Sequence, residues 1–386
     1  MFRLKLSASL LTGLILSVST LHAQVKAPIM GWSSWNNFRV NIDEKMLREQ
    51  ADAMVSSGLY AAGYRFVNID DGYFGGRDKD GKLLVNTAKF PSGMKALADY
   101  IHSKKLKAGI YTDAGNNTCG SYYDKDPNGT GSGIYGHIDQ DCNLFFKEWG
   151  FDFLKVDWCG GERMKLDEQT AYTPIIKAVK AIDTNIVFNI CRWQFPGEWA
   201  IKQADSWRVS GDISAKFSSI LHIIDLDADL YKYASPGHYN DMDMLQVGRG
   251  MSYDEDKTHF SMWCMLNSPL LAGNDLRSMS RQTIDILTNK ELIALNQDKA
   301  FKQATRVLKD ANIEIWVKQL AGKNAKAIAI MNRGDNDATY DFSADKAGLS
   351  NNTELRDLWL HKKLGKAGAL RRFDIPKHGI IVLKTV

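Results

Sequence analysis

FDFLKVDWCGG, residues 151–161, decides the fold, because in this stretch a short apolar run leads directly to a carboxylate. Four of its first six residues are apolar, and the aspartate is followed by an aromatic residue, a cysteine and two glycines. Such a run is typical of a strand in a parallel sheet that is covered on both faces. Asp157 then stands at the carboxyl end of the strand, which faces the active site in barrel enzymes. An aspartate here could also cap the next helix, so the catalytic interpretation depends on the other strand ends.

Seven further apolar runs alternate with amphipathic stretches along the first three quarters of the chain. The eight predicted strands cover residues 29–32, 65–70, 107–113, 152–157, 186–191, 206–210, 237–241 and 268–272. The predicted helices include residues 44–57, 94–104, 142–149 and 171–182. Eight strand and helix units in about 270 residues favour a (β/α)8 TIM barrel over an open doubly wound sheet. The first strand is not followed by a GxGxxG motif, which argues against a dinucleotide site.

The pattern changes after Asp298. Short runs of strand period, separated by Gly, Asn and Asp, cover residues 313–318, 325–331, 339–342, 354–360, 370–375 and 379–384. Close spacing of short strands predicts a small antiparallel β-sandwich. We therefore expect a signal peptide in residues 1–23, a catalytic barrel in 24–298 and a C-terminal sandwich in 299–386.

The first 23 residues have the pattern of a secretory signal. Arg3 and Lys5 precede a broken apolar run, and Ala23 is a plausible cleavage point. The run is too short and wrongly flanked for a membrane span, so we expect a secreted or periplasmic protein. Its removal takes two positive charges from the formal net charge of +4. The near-neutral remainder argues against a nucleic-acid partner.

Cysteine usage and acidic motifs argue against a metal or cofactor. The five cysteines are scattered and form no CxxC pair, which leaves a zinc site without its usual ligands. DKDPNG, residues 124–129, begins like a calcium loop, but it contains Pro127 and has Tyr135 where the closing glutamate belongs. We expect no cofactor.

Chemically useful side chains lie at or near the carboxyl ends of seven of the predicted strands. They are Trp32, Trp35, Asp70, Asp71, Tyr111, Asp113, Lys155, Asp157, Cys191, Arg192, Arg208, Asp212, Asp241, Asp243 and Met244. Carboxylates, basic groups and indole rings suit a neutral sugar, whose hydroxyls donate and accept while its C–H face stacks. Each residue alone could be a turn former, a core residue or an ion-pair partner. Their joint occurrence at one end of a barrel favours a site.

Nine ordered motifs give the chain a resemblance to glycoside hydrolase family 27, the α-galactosidase and α-N-acetylgalactosaminidase group. They are MGWSSWNNF (30–38), NIDDGYF (68–74), KFPSGMKALADYIH (89–102), GIYTDAGNNTC (109–119), LKVDWC (154–159), SWRVSGDI (206–213), NDMDML (240–245), NSPLLAGNDLR (267–277) and ALNQD (294–298). The resemblance implies an exo-acting retaining enzyme that releases terminal α-linked galactose from an oligosaccharide, polysaccharide or glycan. It implies neither a nucleic-acid nor a membrane partner.

The resemblance also implies roles for individual residues. Asp157 matches the family nucleophile and Asp212 its acid/base, and a retaining mechanism needs these two carboxyls roughly 5 to 5.5 Å apart. The residues expected around the sugar are Trp35, Asp70, Asp71, Tyr111, Lys155, Cys119, Cys159, Arg192, Trp193, Arg208, Asp243 and Met244. We expect Lys155 to keep Asp157 ionised, and burial or the nucleophile's charge to raise the pKa of Asp212.

Three departures from the family pattern affect these expectations. Arg192 replaces the usual glutamate that binds the sugar's 2-hydroxyl, which leaves related activities open: β-L-arabinopyranosidase, α-N-acetylgalactosaminidase or isomaltose-releasing dextranase. Gly72 replaces a cysteine, and Ala204 stands where the partner of Cys191 is expected, so Cys191 should be a free thiol. The resemblance leaves one disulfide, Cys119 with Cys159. A sugar-binding protein without activity would lack a carboxylate, whereas both are present here.

Overall fold

The computed structural model describes residues 27–369 and 371–386, so the predicted signal segment lies outside the described residues. The N-terminal part contains ten strands, numbered here in chain order. They are β1 Met30–Ser33, β2 Phe66–Asn68, β3 Phe74–Arg77, β4 Leu83–Val85, β5 Lys107–Asp113, β6 Phe153–Asp157, β7 Val187–Ile190, β8 Ser206–Arg208, β9 Tyr239–Asp241 and β10 Leu270–Ala272. β3 and β4 form an antiparallel hairpin that the sequence analysis did not predict.

The other eight strands form one parallel sheet in the order β10-β1-β2-β5-β6-β7-β8-β9. The ring is completed just beyond β9, where Leu245 makes a parallel bridge to Ala272 and donates a 2.7 Å hydrogen bond to the Leu271 carbonyl. A Cβ added to Gly31 would lie 2.3 Å from the Phe66 carbonyl oxygen, so the close approach of β1 and β2 requires glycine there. The predicted TIM barrel is confirmed.

Within the described residues, twelve α-helices, numbered in chain order, surround or follow the strands. They are α1 Trp35–Phe38, α2 Glu44–Ser56, α3 Leu59–Ala62, α4 Gly93–Ser103, α5 Cys119–Tyr123, α6 Ile138–Cys142, α7 Cys159–Arg163, α8 Glu168–Ile182, α9 Phe217–Asp227, α10 Tyr253–Met265, α11 Arg281–Leu287 and α12 Lys290–Asn296. Four short 3-10 turns lie at Pro127–Gly129, Leu230–Lys232, Leu276–Ser278 and Ala344–Ala347. The helix predicted at 142–149 is instead the end of α6 followed by π-helix over Asn143–Glu148.

Eight antiparallel strands form the C-terminal part. They are β11 Thr305–Asp310, β12 Ile313–Gln319, β13 Lys326–Asn332, β14 Ala338–Phe342, β15 Glu354–Asp357, β16 Lys362–Lys366, β17 Arg371–Ile375 and β18 Ile380–Thr385. Six make a sheet in the order β11-β12-β13-β18-β15-β16, and β14 pairs with β17. The antiparallel domain is as predicted. β11 and β16, which were missed, are the edges of the larger sheet, and edge strands often have charged residues in place of an apolar pattern.

The two parts pack directly against each other. Trp316, Ala329 and Val382 of the sandwich belong to the same buried cluster as the barrel core. Lys318 Nζ donates to the Met265 carbonyl at 3.1 Å, at the end of α10. The predicted boundary at 298/299 falls in the segment between α12 and β11. No helix within the described ranges combines the length and apolarity that crossing a bilayer requires.

Candidate active site

Asp157 is the last residue of β6 and is 5 % exposed at the carboxyl end of the barrel. Its Oδ1 accepts a hydrogen bond from the Trp158 amide at 3.0 Å, and Lys155 Nζ lies 3.8 Å from its Oδ2. Lys155 and Asp157 are two residues apart on one strand, so both side chains point to the same face of the sheet. The side chain at the end of β6 is thereby held in one orientation, with a cation beside it.

Asp212 lies in the loop after β8, and its side chain is 63 % exposed. Arg208, the last residue of β8, reaches it with a guanidinium nitrogen 3.2 Å from Asp212 Oδ1. The same guanidinium group lies 2.8 Å from Asp243 Oδ2, and that carboxylate oxygen also accepts from the Ile213 amide. Arg208 therefore links the Asp212 loop to the residues that follow β9.

One open pocket of about 380 Å³ contains both carboxylates. Its lining residues are Trp35, Arg39, Cys119, Tyr123, Lys155, Asp157, Cys159, Trp193, Gly211 and Asp212. Seven of these were predicted as site residues. The others in that set, namely Asp70, Asp71, Tyr111, Arg192, Arg208, Asp243 and Met244, are not among the lining residues.

The remaining predicted site residues other than Arg192 are buried below the pocket, where Asp70 contacts Lys155 and Arg208 contacts Asp212. Asp70 Oδ2 is 2.9 Å from Lys155 Nζ, and the Asp70 amide is bonded to Ser34 Oγ. Asp71 is fully buried and accepts from the Gly120 amide at 2.6 Å. Met244, Asp243, Arg208 and Asp70 line a narrow space inside the barrel together with Lys155. Tyr111 is also buried, and its hydroxyl accepts from the Cys119 amide at 3.3 Å.

The pKa shifts of the two carboxyls run opposite to our expectation. Burial raises the pKa of Asp157 to about 6, although Lys155 opposes the shift, and the charges of Asp212 and Asp70 add to it. Burial also favours a higher pKa for Asp212, but Arg208 and Lys155 outweigh it and lower the pKa below its ordinary value. The prediction of a raised pKa for Asp212 was wrong, because it took no account of the contact with Arg208.

A disulfide bond joins Cys119 and Cys159 at the edge of the pocket, with Cα atoms 5.2 Å apart, which confirms that prediction. Asp113 lies behind it and accepts from the amides of Gly115 and Gly160. Burial and the charge of Asp157 raise the pKa of Asp113 to about 8. Among described residues, Asp113 and these two cysteines form the one group close enough to hold a metal, but both sulfurs are bonded to each other.

Arg192 is paired with a residue of α8. Its Nε contacts Glu168 Oε1, and both side chains are largely buried. The next residue, Trp193, lines the pocket with a φ of 58°, a conformation that is unusual for a bulky residue. Cys191 is a buried free thiol, as predicted. The structure thus connects Arg192 to the pocket through Trp193.

We expect Arg192→Ala to lower kcat/KM by about two- to tenfold, and by the same factor for a galactoside and its 2-deoxy analogue. The physical reason is loss of the Glu168 ion pair, which fixes the backbone that carries Trp193. Glu168→Gln should reproduce the effect, and the double variant should be no worse than either single one. A loss confined to the substrate with a 2-hydroxyl would instead show that Arg192 binds that hydroxyl.

Three pocket residues, Arg39, Tyr123 and Gly211, were not predicted from the sequence. Arg39 lies over the Trp35 ring at 4.7 Å and is 2.5 Å from Asp124, and Tyr123 is 60 % exposed. Arg39 directly follows the first motif, and Tyr123 lies just beyond the cysteine of the fourth. The pairing of Arg39 with Asp124 bridges 85 positions of the chain, so no local pattern indicates it.

Comparison with known proteins gives consistent results over the whole described chain. Residues 27–298 match the family model for alpha galactosidase A, and residues 310–385 match that for the alpha galactosidase C-terminal beta sandwich domain. The chain is 41% identical to alpha-galactosidase A of Cellvibrio japonicus, in an alignment covering 99% of this chain and 97% of the relative.

Solved structures agree with these matches. Alpha-galactosidase I from Mortierella vinacea superposes with a TM-score of 0.86 and 32% identity, covering 93% of this chain and 97% of that one. An alpha-galactosidase from Saccharomyces cerevisiae, solved with raffinose, gives a TM-score of 0.84 and 25% identity with the same two coverages.

Proposed function

The chain belongs to glycoside hydrolase family 27 and is an α-galactosidase, and we propose that it releases terminal α-linked galactose by a retaining double displacement. The observation that carries the proposal is the presence of Asp157 and Asp212 in the lining of one pocket. A retaining glycosidase needs two carboxyls on opposite sides of the scissile bond, one as nucleophile and one as proton donor.

In the double displacement, Asp157 acts as the nucleophile and Asp212 acts first as the acid and then as the base. Asp157 attacks the anomeric carbon as an anion, and its position beside Lys155 favours the charged form. Asp212 gives its proton to the glycosidic oxygen as the C–O bond breaks. Asp212, now a carboxylate, then takes a proton from water, which attacks the anomeric carbon and releases Asp157. Two inversions give net retention.

Three observations support Asp212 as the proton donor. Its side chain is exposed at the mouth of the pocket, where a leaving group departs and water enters. Its loop is anchored through the Ile213 amide to Asp243, which keeps the carboxyl near the pocket. Loss of the Asp157 charge on formation of the glycosyl-enzyme lowers the pKa of Asp212 further, which suits its second role as a base.

The lining of the pocket offers the contacts that a terminal sugar needs. Lys155, bridging Asp70 and Asp157, and the ring of Trp35 provide polar contacts and an apolar face. The yeast relative was solved with raffinose, a galactose-containing oligosaccharide, and we propose the same class of substrate here. We also propose export to the periplasm or medium, supported by the signal pattern of residues 1–23 and by the Cys119–Cys159 bond.

We expect kcat/KM for an aryl α-galactoside to be highest at acid pH and to fall about tenfold per unit above roughly pH 6. The reactive state has the pair's single proton on Asp212 and the negative charge on Asp157, which is the minor arrangement because the pKa of Asp157 is the higher of the two. Because burial raises the pKa of Asp157 to about 6, the pair loses its last proton near that pH. Asp212→Ala, assayed with a dinitrophenyl galactoside that needs no proton, should instead gain activity as Asp157 ionises. A falling limb retained in that variant would contradict the assignment.

A panel of nitrophenyl glycosides tests the substrate. The α-galactoside should be cleaved at least about a hundredfold faster, by kcat/KM, than the α-N-acetylgalactosaminide, β-L-arabinopyranoside or α-glucoside. Asp157→Ala is the control for a contaminating activity and should cleave none of them. A preference for the β-L-arabinopyranoside or the N-acetyl substrate would overturn the choice of galactose.

A further inference from the structure

A second pocket, here called the side pocket, opens at the carboxyl end of the barrel and has a volume of about 480 Å³. Its walls come from α1, from the segment between β9 and α10 with the start of α10, and from residues 274–286, which run from the end of β10 into α11. It shares no lining residue with the catalytic pocket. Trp35 and Arg39 line the catalytic pocket and Asn37 lines the side pocket, so the single turn of α1 separates the two.

Two buried side chains in the side-pocket wall have an acceptor atom with no hydrogen-bond partner in the described part of the chain. They are Asn274 Oδ1 and Asp256 Oδ1, on residues that are 5 % and 6 % exposed. Both residues are fixed by their other polar atoms. The Asn274 carbonyl accepts from Trp32 Nε1 at 2.7 Å, and Asp256 Oδ2 accepts from the Gly248 amide at 2.9 Å. Neither acceptor atom is open to solvent, so a hydroxyl donor reaches them only when the pocket wall shifts, and it would then satisfy acceptors that are otherwise unpaired.

The charges around the side pocket argue against an anionic ligand. Arg249 already donates to the Asn36 carbonyl and to Gln246 Oε1. The carboxylate of Asp275 is bonded to Arg277 and Gln50. Burial also raises the pKa of Asp256 to about 7, which makes this carboxyl partly neutral at neutral pH. The side pocket therefore offers acceptors and hydroxyl groups without an uncompensated positive charge.

An aromatic ring completes the chemistry that a sugar needs. Tyr253 lines the side pocket and is 46 % exposed, and Lys257 Nζ lies 5.3 Å from the centroid of its ring, so a sugar would stack on the opposite ring face. Ser278 provides a further hydroxyl in the lining, whereas the Ser280 hydroxyl is bonded to the Thr283 amide and hydroxyl at the start of α11. A neutral pyranose stacks its C–H face on an aromatic ring and directs hydroxyls to paired donors and acceptors.

We propose that the side pocket binds a second neutral sugar unit of the substrate, one that the catalytic pocket does not hold. The ligand class rests on the proposed function, because the galactose-bearing chain is the molecule that brings sugar units to this face of the barrel. A long or branched substrate can then contact both sides of α1, whereas an aryl galactoside reaches only the catalytic pocket. The side pocket thus selects for extended substrates.

Kinetics on a short and a long substrate test the proposal. Tyr253→Ala and Asn274→Ala should each raise KM for soluble galactomannan by about tenfold and leave kcat/KM for nitrophenyl α-galactoside within about twofold. Tyr231→Ala is the matched control, because Tyr231 is 45 % exposed and lines neither pocket. It should change neither value. Unchanged galactomannan kinetics in both side-pocket variants, or equal losses on both substrates, would overturn the proposal.

A binding measurement separates this inference from the proposed function. Calorimetric titration of raffinose into the Asp157→Ala variant should show two sites, and adding Asn274→Ala should remove one of them. A single site in both variants contradicts the side pocket even if the enzyme cleaves α-galactosides normally. Failure to cleave the aryl α-galactoside would overturn the proposed function, and the raffinose titration would still decide whether the side pocket binds sugar.

Discussion

Asp157→Ala should lower kcat/KM for nitrophenyl α-galactoside by about 10⁵-fold or more, the scale found when a catalytic nucleophile is removed. The reason is that Asp212, the other carboxylate lining the pocket, is proposed to act on the leaving group and so cannot form the glycosyl-enzyme. The loss should be equally severe for dinitrophenyl galactoside, because better leaving groups do not replace an absent nucleophile. Steady-state kinetics with both substrates measure it.

The fold of that variant must be shown to be intact, and the pKa of Asp157 predicts how. Its pKa is raised by burial from the ordinary range to about 6, so the stability that it contributes is full below its unfolded pKa and is lost as pH rises through about 6. Asp157→Ala should therefore be no less stable than wild type above pH 6, by thermal unfolding. Loss of activity with a clearly lower Tm at pH 7.5 would point to misfolding instead.

Asp212→Ala should behave differently, because Asp212 acts first as an acid and then as a base. With an unactivated galactoside, kcat/KM should fall by about 10²- to 10⁴-fold. With dinitrophenyl galactoside, the leaving group departs without a proton, so formation of the glycosyl-enzyme is spared while its hydrolysis slows. A burst of dinitrophenolate followed by slow turnover, and a low KM, should result.

Added azide gives the decisive control for Asp212. A small anion can occupy the space left by the carboxylate and attack the glycosyl-enzyme from the leaving-group side. It should speed turnover of Asp212→Ala and give α-galactosyl azide, with no effect on wild type. A β-galactosyl azide would mean that azide replaced the nucleophile, and the assignments of Asp157 and Asp212 would then have to be exchanged.

The barrel and the position of Asp157 at its carboxyl end were predictable from the sequence, because both depend on local patterns. A buried strand that ends in Asp157 has its signal within eleven residues, and eight such runs with helices between them specify a parallel barrel. The strands that were not predicted, β11 and β16, lie at the solvated edges of the sheet. Their charged residues obscure the alternation of apolar and polar side chains that marks a strand. The sequence signal was strong wherever burial produced the pattern.

Contacts between distant loops were not predictable. Arg208 lowers the pKa of Asp212 only because the loop after β8 turns back toward the strand. The spacing of the two residues along the chain does not reveal that geometry. The pairing of Arg192 with Glu168 joins residues 24 positions apart on different elements. For the same reason the side pocket was not found, since Asp256 lies outside the nine motifs and meets Asn274, which lies in the eighth, only through the fold. Such features follow from tertiary structure alone.

Retention of configuration is the central claim, and the anomer released first tests it most directly. Proton NMR of wild-type enzyme with nitrophenyl α-galactoside, recorded within the first minutes, should show the α anomer of galactose before mutarotation produces the β form. Two displacements, one by Asp157 and one by water activated by Asp212, require this result. If the β anomer appears first, the reaction inverts, water attacks directly, and Asp157 is not the nucleophile.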